Sequence, residues 1–150
     1  MDELQLFDDV PLVEVAYAAG LFDGEGWASI GKQGHNYALR SAIQMNQDTG
    51  LRRCKRAFGG KVYPRKMRDN YAPAYEWVLT SQAAHRFLKT IRPFVTVKAQ
   101  VIDIALKFQK EYWLPGRNIV SGRRETIAED SRLKLAQYRH PNRKGKPQSP

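Results

Sequence analysis

Apolar and polar residues alternate along this chain with two different periods, and these periods predict its elements. Residues 10–22 are mostly apolar and rich in alanine, with Pro11 near the start, which favours a helix. Asp9 stands where its carboxylate accepts hydrogen bonds from the first free N–H groups of that helix. The chain is therefore expected to begin its folded part with a short, apolar helix.

A strand pair follows this helix. Residues 27–30 and 37–45 flank a turn with two glycines, which predicts a β-hairpin. Because side chains alternate across a strand, the second strand has an apolar face and a mixed face. The apolar face carries Tyr37, Leu39, Ile43 and Met45. The mixed face carries Ala38, Arg40, Ala42 and Gln44 and is the face expected to meet a partner.

The rest of the pattern predicts a second helix and hairpin followed by three helices. The helices are expected at 50–58, 82–91, 98–113 and 126–138, and the strands at 61–65 and 74–79. The expected N-terminal caps are Asp48 or Thr49, Thr80 or Ser81, and a capping box of Thr126 and Glu129. The sequence thus predicts one α+β domain over residues 1–138. The proline-containing, basic tail 139–150 is predicted to be disordered.

The net charge of the chain limits the class of partner that it is expected to bind. The chain of 150 residues has a net charge of +10, which favours a polyanion, either nucleic acid or an anionic membrane. Its first 30 residues hold seven acidic residues and no Lys or Arg, so the acidic charge is concentrated in one segment of an otherwise basic chain. Such a distribution suits a metal-dependent nuclease, in which cations hold phosphates and carboxylates hold the metal.

Other compositional signals argue against competing classes. Cys54 is the only cysteine, which excludes an internal disulfide and a cysteine-rich zinc site. Histidines 35, 85 and 140 form no metal-ligand pair at helical spacing. No apolar run reaches the length of a membrane span, and the start of the chain lacks the basic region of a signal peptide. A soluble, intracellular protein without a membrane partner is expected.

The end of the first predicted helix is the most unusual stretch. Asp23 and Glu25 lie between Gly20, Gly24 and Gly26. The small residues Ala16, Gly20 and Gly24 recur every four positions, so they share one helix face that a second helix can approach closely. In the simplest interpretation the glycines only end the helix and both carboxylates are solvated. In the alternative, glycine carbonyls beside Glu25 offer oxygen ligands to a hard divalent cation.

Residues 18–26 favour the second interpretation, because they resemble the signature of the LAGLIDADG homing endonucleases. The matching residues are Ala19, Gly20, Leu21, Asp23 and Gly26; Phe22, Gly24 and Glu25 are common variants, and Ala18 replaces the usual leucine. Weaker similarity to the single-motif, homodimeric branch typified by algal chloroplast intron enzymes comes from Gln44-x-x-Gln47, His85-x-Phe87-Leu88 and Pro93-Phe94-x-x-x-Lys98. The resemblance covers about residues 9–138 and implies the LAGLIDADG fold, an αββαββα subunit with a curved antiparallel sheet and C-terminal helices.

The resemblance also implies roles for individual residues. Since the chain has one signature and no internal repeat, two copies would form a homodimer through Ala16, Ala19, Gly20, Asp23 and Gly24. Glu25 and the Gly24 carbonyl would bind Mg²⁺ or Mn²⁺, and Ca²⁺ is expected to support binding without cleavage. Glu25, Lys98 and Gln47 would be the catalytic residues. Asp23 is expected to hold the helix end or the dimer seam rather than the metal.

DNA recognition would fall to the open face of the sheet, whose side chains reach base edges in the major groove. The predicted DNA-binding residues are Ser29, Gln33, Arg40, Gln44, Lys61, Tyr63, Arg65, Arg68, Tyr75 and Trp77. The register of residues 61–77 is open by one position, which would exchange Trp77 for Glu76 and Val78. Core packing is the alternative role of Trp77.

The resemblance therefore implies a homing endonuclease that cleaves both strands of a long, pseudo-palindromic double-stranded DNA target. Two other functions occur on the same fold. An intron maturase would bind RNA to assist splicing, and a regulator would bind DNA without cutting it. A bacterial or phage-infected cytoplasm, or a chloroplast or mitochondrion, is the expected location.

Overall fold

The computed structural model describes residues 7–66, 72–113 and 121–139, with the side chains of residues 121 and 122 left out. Within these ranges the element order is the αββαββα order expected from the sequence, followed by two further helices. The helices are α1 Leu12–Glu25, α2 Thr49–Phe58, α3 Ser81–Ile91, α4 Ala99–Tyr112 and α5 Ser121–Arg139, with a 3₁₀ turn at Arg92–Phe94. The strands are β1 Gly26–Gln33, β2 Asn36–Met45, β3 Lys61–Arg65 and β4 Ala74–Thr80.

The strands form one antiparallel sheet in the order β1-β2-β4-β3. Each hairpin pairs within itself, and β2 pairs with β4 to join them. Ser29 lies opposite Arg40, while Gln44 and Tyr63 both lie opposite Glu76 from either side. Pro64 lies on β3, an edge strand, where a missing N–H leaves no gap in the ladder.

One face of the sheet is covered by helices and forms the core. Alternate residues of β1, β2 and β4 point into it, and Leu39, Ile43 and Trp77 are almost completely buried. The Trp77 ring packs edge-on against Phe87 of α3 at a centroid distance of 5.0 Å, and its Nε1–H donates to the Gly59 carbonyl at 2.8 Å. Since the buried indole N–H has a partner, the tryptophan is satisfied as a core residue.

Several expected helix ends differ from those observed. The residue that precedes α1 is Pro11, with no side-chain cap, so the prediction that Asp9 caps this helix is wrong. No side-chain cap bond starts α2 either, because the Asp48 carboxylate accepts from Arg52 at 2.6 Å instead. The first helix also runs three residues further than predicted, to Glu25.

The last helix corrects the prediction made from Thr126 and Glu129. It begins by Ser121, so Thr126 lies inside it and starts no capping box. Glu129 instead accepts hydrogen bonds from the Tyr37 hydroxyl and from Arg132. Arg139, predicted to begin the disordered tail, is the last residue of α5; positions 140–150 lie outside the described residues. None of the described helices is long and apolar enough to cross a membrane.

Candidate active site and DNA-binding face

The end of α1 presents an acidic residue to solvent. Glu25 is the last residue of the helix and is exposed, and its carboxylate has no hydrogen bond or ion pair within the described ranges. Gly26 follows as the first residue of β1, and a Cβ there would collide with the Phe22 ring. The glycine therefore allows the chain to turn from helix to strand directly over the core, and this turn leaves Glu25 on the surface.

Asp23 holds this helix end to the segment before α4. Its carboxylate accepts backbone N–H bonds from Thr96 at 3.1 Å and from Lys98 at 2.9 Å. The two residues lie more than 70 positions away in sequence, so Asp23 joins distant parts of the chain. Such a role agrees with the expectation that Asp23 holds the helix end rather than a metal.

Lys98 is brought next to the same turn. Its Nζ donates to the Gly26 carbonyl at 2.6 Å and to the Gly24 carbonyl at 3.3 Å. Partial burial lowers the pKa of the Lys98 ammonium, while the charges of Glu25 and Asp23 oppose that shift. The carbonyl oxygens at the C-terminal end of α1 thus already attract a cation, as expected for this end of a helix dipole.

Gln47 lies at the same end of the sheet. It is exposed and follows β2, whose Ile43 is paired with Gly26, the residue after Glu25. The register therefore places Gln47 beyond the strand end nearest to Glu25. Lys98 lies against the Gly24 and Gly26 carbonyls beside Glu25, whereas Gln47 is placed only at the same end of the sheet, and the catalytic roles of these residues stay a prediction.

The donor set at the turn fits a hard divalent cation in part. Glu25 supplies an unpartnered carboxylate and Gly24 a carbonyl oxygen, which are the ligand types that Mg²⁺ prefers. Across the described residues there is no group of three or more His, Cys, Asp and Glu side chains that could hold a metal. An octahedral ion would need further oxygen ligands from outside the chain, such as phosphates, water or a second copy.

The outer face of α1 carries apolar side chains and bare backbone. Leu12 and Val13 are 67% and 64% exposed, and Ala16 is also exposed. Among the described residues, a Cβ placed on Gly20 or Gly24 would meet nothing within 4 Å. By contrast, Ala19 is completely buried in its own core, so the prediction that Ala19 lies at a dimer interface is wrong.

The uncovered face of the sheet carries most of the predicted DNA-binding residues. They alternate with the core residues on the four strands, and the strand pairing places all of them on one side: Ser29, Gln33, Arg40, Gln44, Lys61, Tyr63 and Arg65. Lys61, Tyr63 and Arg65 are exposed on the edge strand. Together these side chains form a basic and polar surface, which we call the open face.

Two of the predicted contacts lie on the wrong side. Trp77 is 1% exposed and Tyr75 shares its face, so neither reaches the open face, and the register that placed them there is wrong. The other register is observed, with Glu76 and Val78 on the open face. Arg68 lies outside the described residues.

The fold matches solved structures of homing endonucleases bound to DNA. I-CvuI in complex with its target in the presence of calcium superposes with a TM-score of 0.62 at 17% identity, over 92% of this chain and 87% of that one. The archaeal intron-encoded I-Vdi141I bound to DNA gives a TM-score of 0.57 at 15% identity, over the same shares of the two chains. The chain has the LAGLIDADG homing endonuclease fold. A comparison with protein-family models gave no match, and a comparison with curated protein sequences gave none.

The LAGLIDADG structures that match differ in their metal ions and in size. A second I-CvuI complex contains magnesium and uncleaved DNA, at a TM-score of 0.61 and 18% identity. I-SmaMI was bound to an uncleaved target with calcium ions, and this chain covers only 46% of its length at a TM-score of 0.52 and 14% identity. The algal branch expected from the short similarities stays a prediction.

The structure places the acidic residue Glu76 on the open face, where the sequence offered it only as the alternative to Trp77. Glu76 lies at the middle of the open face, and its side chain is 11% exposed. Its carboxylate pairs with Arg40 at 2.9 Å and with Arg65 at 3.5 Å. The Nη1 of Arg65 also donates to Gln44 Oε1 at 3.1 Å. The only sequence signal for this cluster was the alternation of side chains along the strand around Trp77. That alternation did not show which set of residues faces outward, and the observed strand pairing decides it.

Two exposed apolar side chains beside α1 were also missed. Phe94, in the 3₁₀ turn, is 46% exposed, and Val97, which follows it, is 78% exposed. Both lie next to Thr96 and Lys98, whose backbone binds Asp23. Exposed apolar side chains therefore also lie in the segment that Asp23 holds to the C-terminal end of α1.

Proposed function

We propose that this chain is a homodimeric homing endonuclease that cleaves both strands of a long, pseudo-palindromic DNA target by metal-dependent phosphodiester hydrolysis. The observation that carries the proposal is the exposed Glu25 carboxylate, without a partner in the described chain, at the end of α1 beside Lys98. The same turn begins β1, so the acidic site lies at one end of the basic open face.

A second copy of the chain is the proposed occupant of the α1 face. Leu12 and Val13 are exposed without covering side chains, and Gly20 and Gly24 leave room for a second backbone to approach. One chain supplies one Glu25, whereas cleavage of two strands needs an acidic site for each. Pairing α1 with its copy around a two-fold axis brings both sites to one duplex.

The residues at the turn would hold the metal and prepare the phosphate. Glu25 and the Gly24 carbonyl would bind Mg²⁺ or Mn²⁺, which when bound polarises a phosphoryl oxygen and lowers the pKa of water. The Lys98 ammonium, fixed on the Gly26 carbonyl, adds positive charge where a scissile phosphate gains negative charge. Gln47 would orient water by hydrogen bonding at the same strand end.

The open face would bind the duplex in its major groove. Arg40 and Gln44 lie on the central strand β2, while Lys61, Tyr63 and Arg65 lie on the edge strand β3. Ser29 and Gln33 extend the surface across β1. Two such sheets in a dimer would follow the groove on both sides of the two-fold axis, which accounts for a long and pseudo-palindromic target.

The test is cleavage of a defined duplex. The purified chain is incubated with DNA that carries the uninterrupted insertion site from the neighbourhood of its own gene, first with Ca²⁺ and then with Mg²⁺. We expect specific binding in Ca²⁺ and a cut in each strand in Mg²⁺. Specific binding without any cut in Mg²⁺ or Mn²⁺ would contradict nuclease function and indicate a regulator.

The dimer is tested with Gly20→Leu. Because a Cβ at this position meets nothing in the part of the chain that the structure describes, the substitution should leave the monomer folded and block only the approach of a second helix. We expect sedimentation to show a dimer for the unchanged chain and for Gln137→Leu, an exposed control on α5, and a monomer without double-strand cleavage for Gly20→Leu. A monomeric Gly20→Leu chain that still cuts both strands would disprove the dimer.

A further inference from the structure

The centre of the open face holds an acidic residue where a DNA-binding surface would be expected to be basic. Glu76 faces the same side as Arg40, Gln44 and Tyr63. A carboxylate directed at a duplex repels phosphate, so its presence there weakens binding to DNA of any sequence. Its contacts with the neighbouring side chains suggest what it contributes in return.

Glu76 fixes two arginines. Its Oε2 lies 2.9 Å from Arg40 Nη2, and its Oε1 lies 3.5 Å from Arg65 Nη1. The Glu76 side chain is 11% exposed, whereas the two arginine side chains are 40% and 46% exposed. The carboxylate is thus more buried than both guanidinium groups, and each guanidinium keeps N–H donors that Glu76 does not use. Held arginines lose less side-chain entropy when they bind.

The same contacts determine which atoms of Gln44 are available. Arg65 Nη1 lies 3.1 Å from the Gln44 amide, and a guanidinium only donates hydrogen bonds. The Gln44 atom facing Arg65 must therefore be the carbonyl oxygen. Arg65 uses one of the two lone pairs of this oxygen, whereas both N–H donors of the Gln44 amide remain.

The cluster of Arg40, Arg65 and Gln44 over Glu76 therefore offers mainly hydrogen-bond donors. In the major groove guanine presents two acceptors, N7 and O6, whereas adenine presents one acceptor and an amino donor. A free glutamine amide reads adenine with its oxygen and nitrogen together, and the bond from Arg65 to that oxygen competes with this arrangement. Adenine opposite this cluster would place its amino group against N–H donors.

We infer that Glu76 is a specificity-determining residue that makes Arg40, Arg65 and Gln44 a guanine-reading cluster on the open face. The inference rests on the proposed function in that it requires binding of double-stranded DNA by this face. It names the base that the centre of the sheet selects and the residue responsible. Glu76 itself acts by positioning the arginines.

The experiment is selection of bound duplexes from a randomised library in Ca²⁺, followed by sequencing. The unchanged chain should enrich guanine over adenine by about tenfold or more at one or more positions in each half-site. Glu76→Gln should reduce that ratio below about threefold and should bind random DNA more tightly, since one negative charge is removed. Glu111→Gln, which makes the same charge change on α4, should leave the selected sequence unchanged.

Arg65→Met provides a second, independent test. Removing the donor frees the Gln44 oxygen, so enrichment at the position that Gln44 reads should move from guanine towards adenine. This variant also decides the matter if thermal melting shows that Glu76→Gln does not fold. Retention of the full guanine preference by a folded Glu76→Gln or Arg65→Met chain would overturn the inference and leave the proposed function intact. A library without any selected sequence for the unchanged chain would overturn both.

Discussion

Glu25 at the end of α1 and Glu76 on the open face both lie next to basic side chains, yet only the Glu76 carboxylate forms ion pairs with them. At the end of α1 Glu25 is exposed and has no partner among the described residues. At the centre of the open face Glu76 is 8% exposed and pairs with Arg40 and Arg65. An unpartnered carboxylate is free to bind a cation from outside, whereas the charge of a paired carboxylate is already compensated within the chain.

The basic side chains beside Glu25 and Glu76 also differ in whether they pair with the carboxylate. Lys98 lies beside Glu25, but its ammonium donates to the Gly24 and Gly26 carbonyls instead of pairing with the carboxylate. On the open face Arg40 and Arg65 pair with Glu76 directly. The proposed function divides the two regions in the same way, with chemistry at a phosphate assigned to the α1 end and recognition to the sheet centre. Variants that affect one region and spare the other test this division.

The largest separation is expected for Glu25→Gln. The substitution keeps the size and polarity of the side chain but removes the charge that a divalent cation needs from its ligand. Cleavage in Mg²⁺ should fall by about a thousandfold or more, while binding to the target in Ca²⁺ should be unchanged or slightly tighter. Gel-shift titration followed by timed cleavage of the same duplex measures both. A Glu25→Gln chain that cuts at the normal rate would end the assignment of Glu25 as metal ligand.

Arg40→Ala should show the reverse behaviour. On the proposal that Arg40 contacts a base, the loss of this side chain should lower affinity for the target by about 1–3 kcal/mol and relax discrimination at one symmetric pair of bases. The cleavage rate at saturating protein should change little. Lys107→Ala, on an exposed part of α4, is the control and should affect target and random DNA alike, by less. Equal losses on both DNAs for Arg40→Ala would argue against base recognition.

Asp23→Asn should affect stability before chemistry. The Asp23 carboxylate accepts two backbone N–H bonds that join α1 to the start of α4, and an amide can accept with only one oxygen. We expect a loss of about 1 kcal/mol in the free energy of unfolding, measured in urea, with near-normal turnover for each folded dimer. Asp130→Asn, an exposed control on α5, should lose less. If Asp23→Asn is fully stable but does not cut, Asp23 acts in catalysis.

The fold was predictable from sequence because its hydrophobic periods are strong. The alternation of Tyr37, Leu39 and Ile43 assigned the core face of β2, and burial confirms it. The second hairpin was harder, since both Trp77 and Glu76 fit a partly buried position. The face was decided by tertiary packing of Trp77 on Phe87 and by its bond to Gly59, neither of which a local pattern contains.

The motif led to the proposed chemistry at the α1 end, but it did not predict the contacts around that end. The glycines and Glu25 indicated an oxygen-rich turn, but only the fold shows that Asp23 binds the backbone of Thr96 and Lys98. Ala19 was placed on the outer face by its position in the motif, while the three-dimensional packing buries it. Helix spacing identified the face of Ala16 and Gly20 correctly, because those residues repeat every four positions without depending on distant contacts.

The smallest effect is expected from acid, and it should affect both regions together. His85 lies buried in α3 beneath the sheet, and its Nδ1 has no hydrogen-bond partner within the described chain. Burial, with a smaller contribution from Lys89, lowers the pKa of His85 below its ordinary value of 6.5. The unfolded chain therefore takes up a proton that the folded chain resists, so stability should fall as the pH drops below about 6.5, by at most about 1.4 kcal/mol per pH unit. The carboxyl groups of Glu14, Asp103 and Glu129 have lowered pKa values and should destabilise the fold only at more acidic pH.

Urea unfolding at pH 7.0, 6.0 and 5.5 should show the loss of stability caused by His85 for the unchanged chain and for His35→Asn, an exposed control in the hairpin turn. The loss should be absent for His85→Gln. To the extent that acid unfolds the chain over this range, binding and cleavage should decline in equal proportion, because α3 supports both α1 and the sheet. Loss of cleavage without loss of binding at pH 6 would place the sensitive group at the α1 end instead of in the shared core.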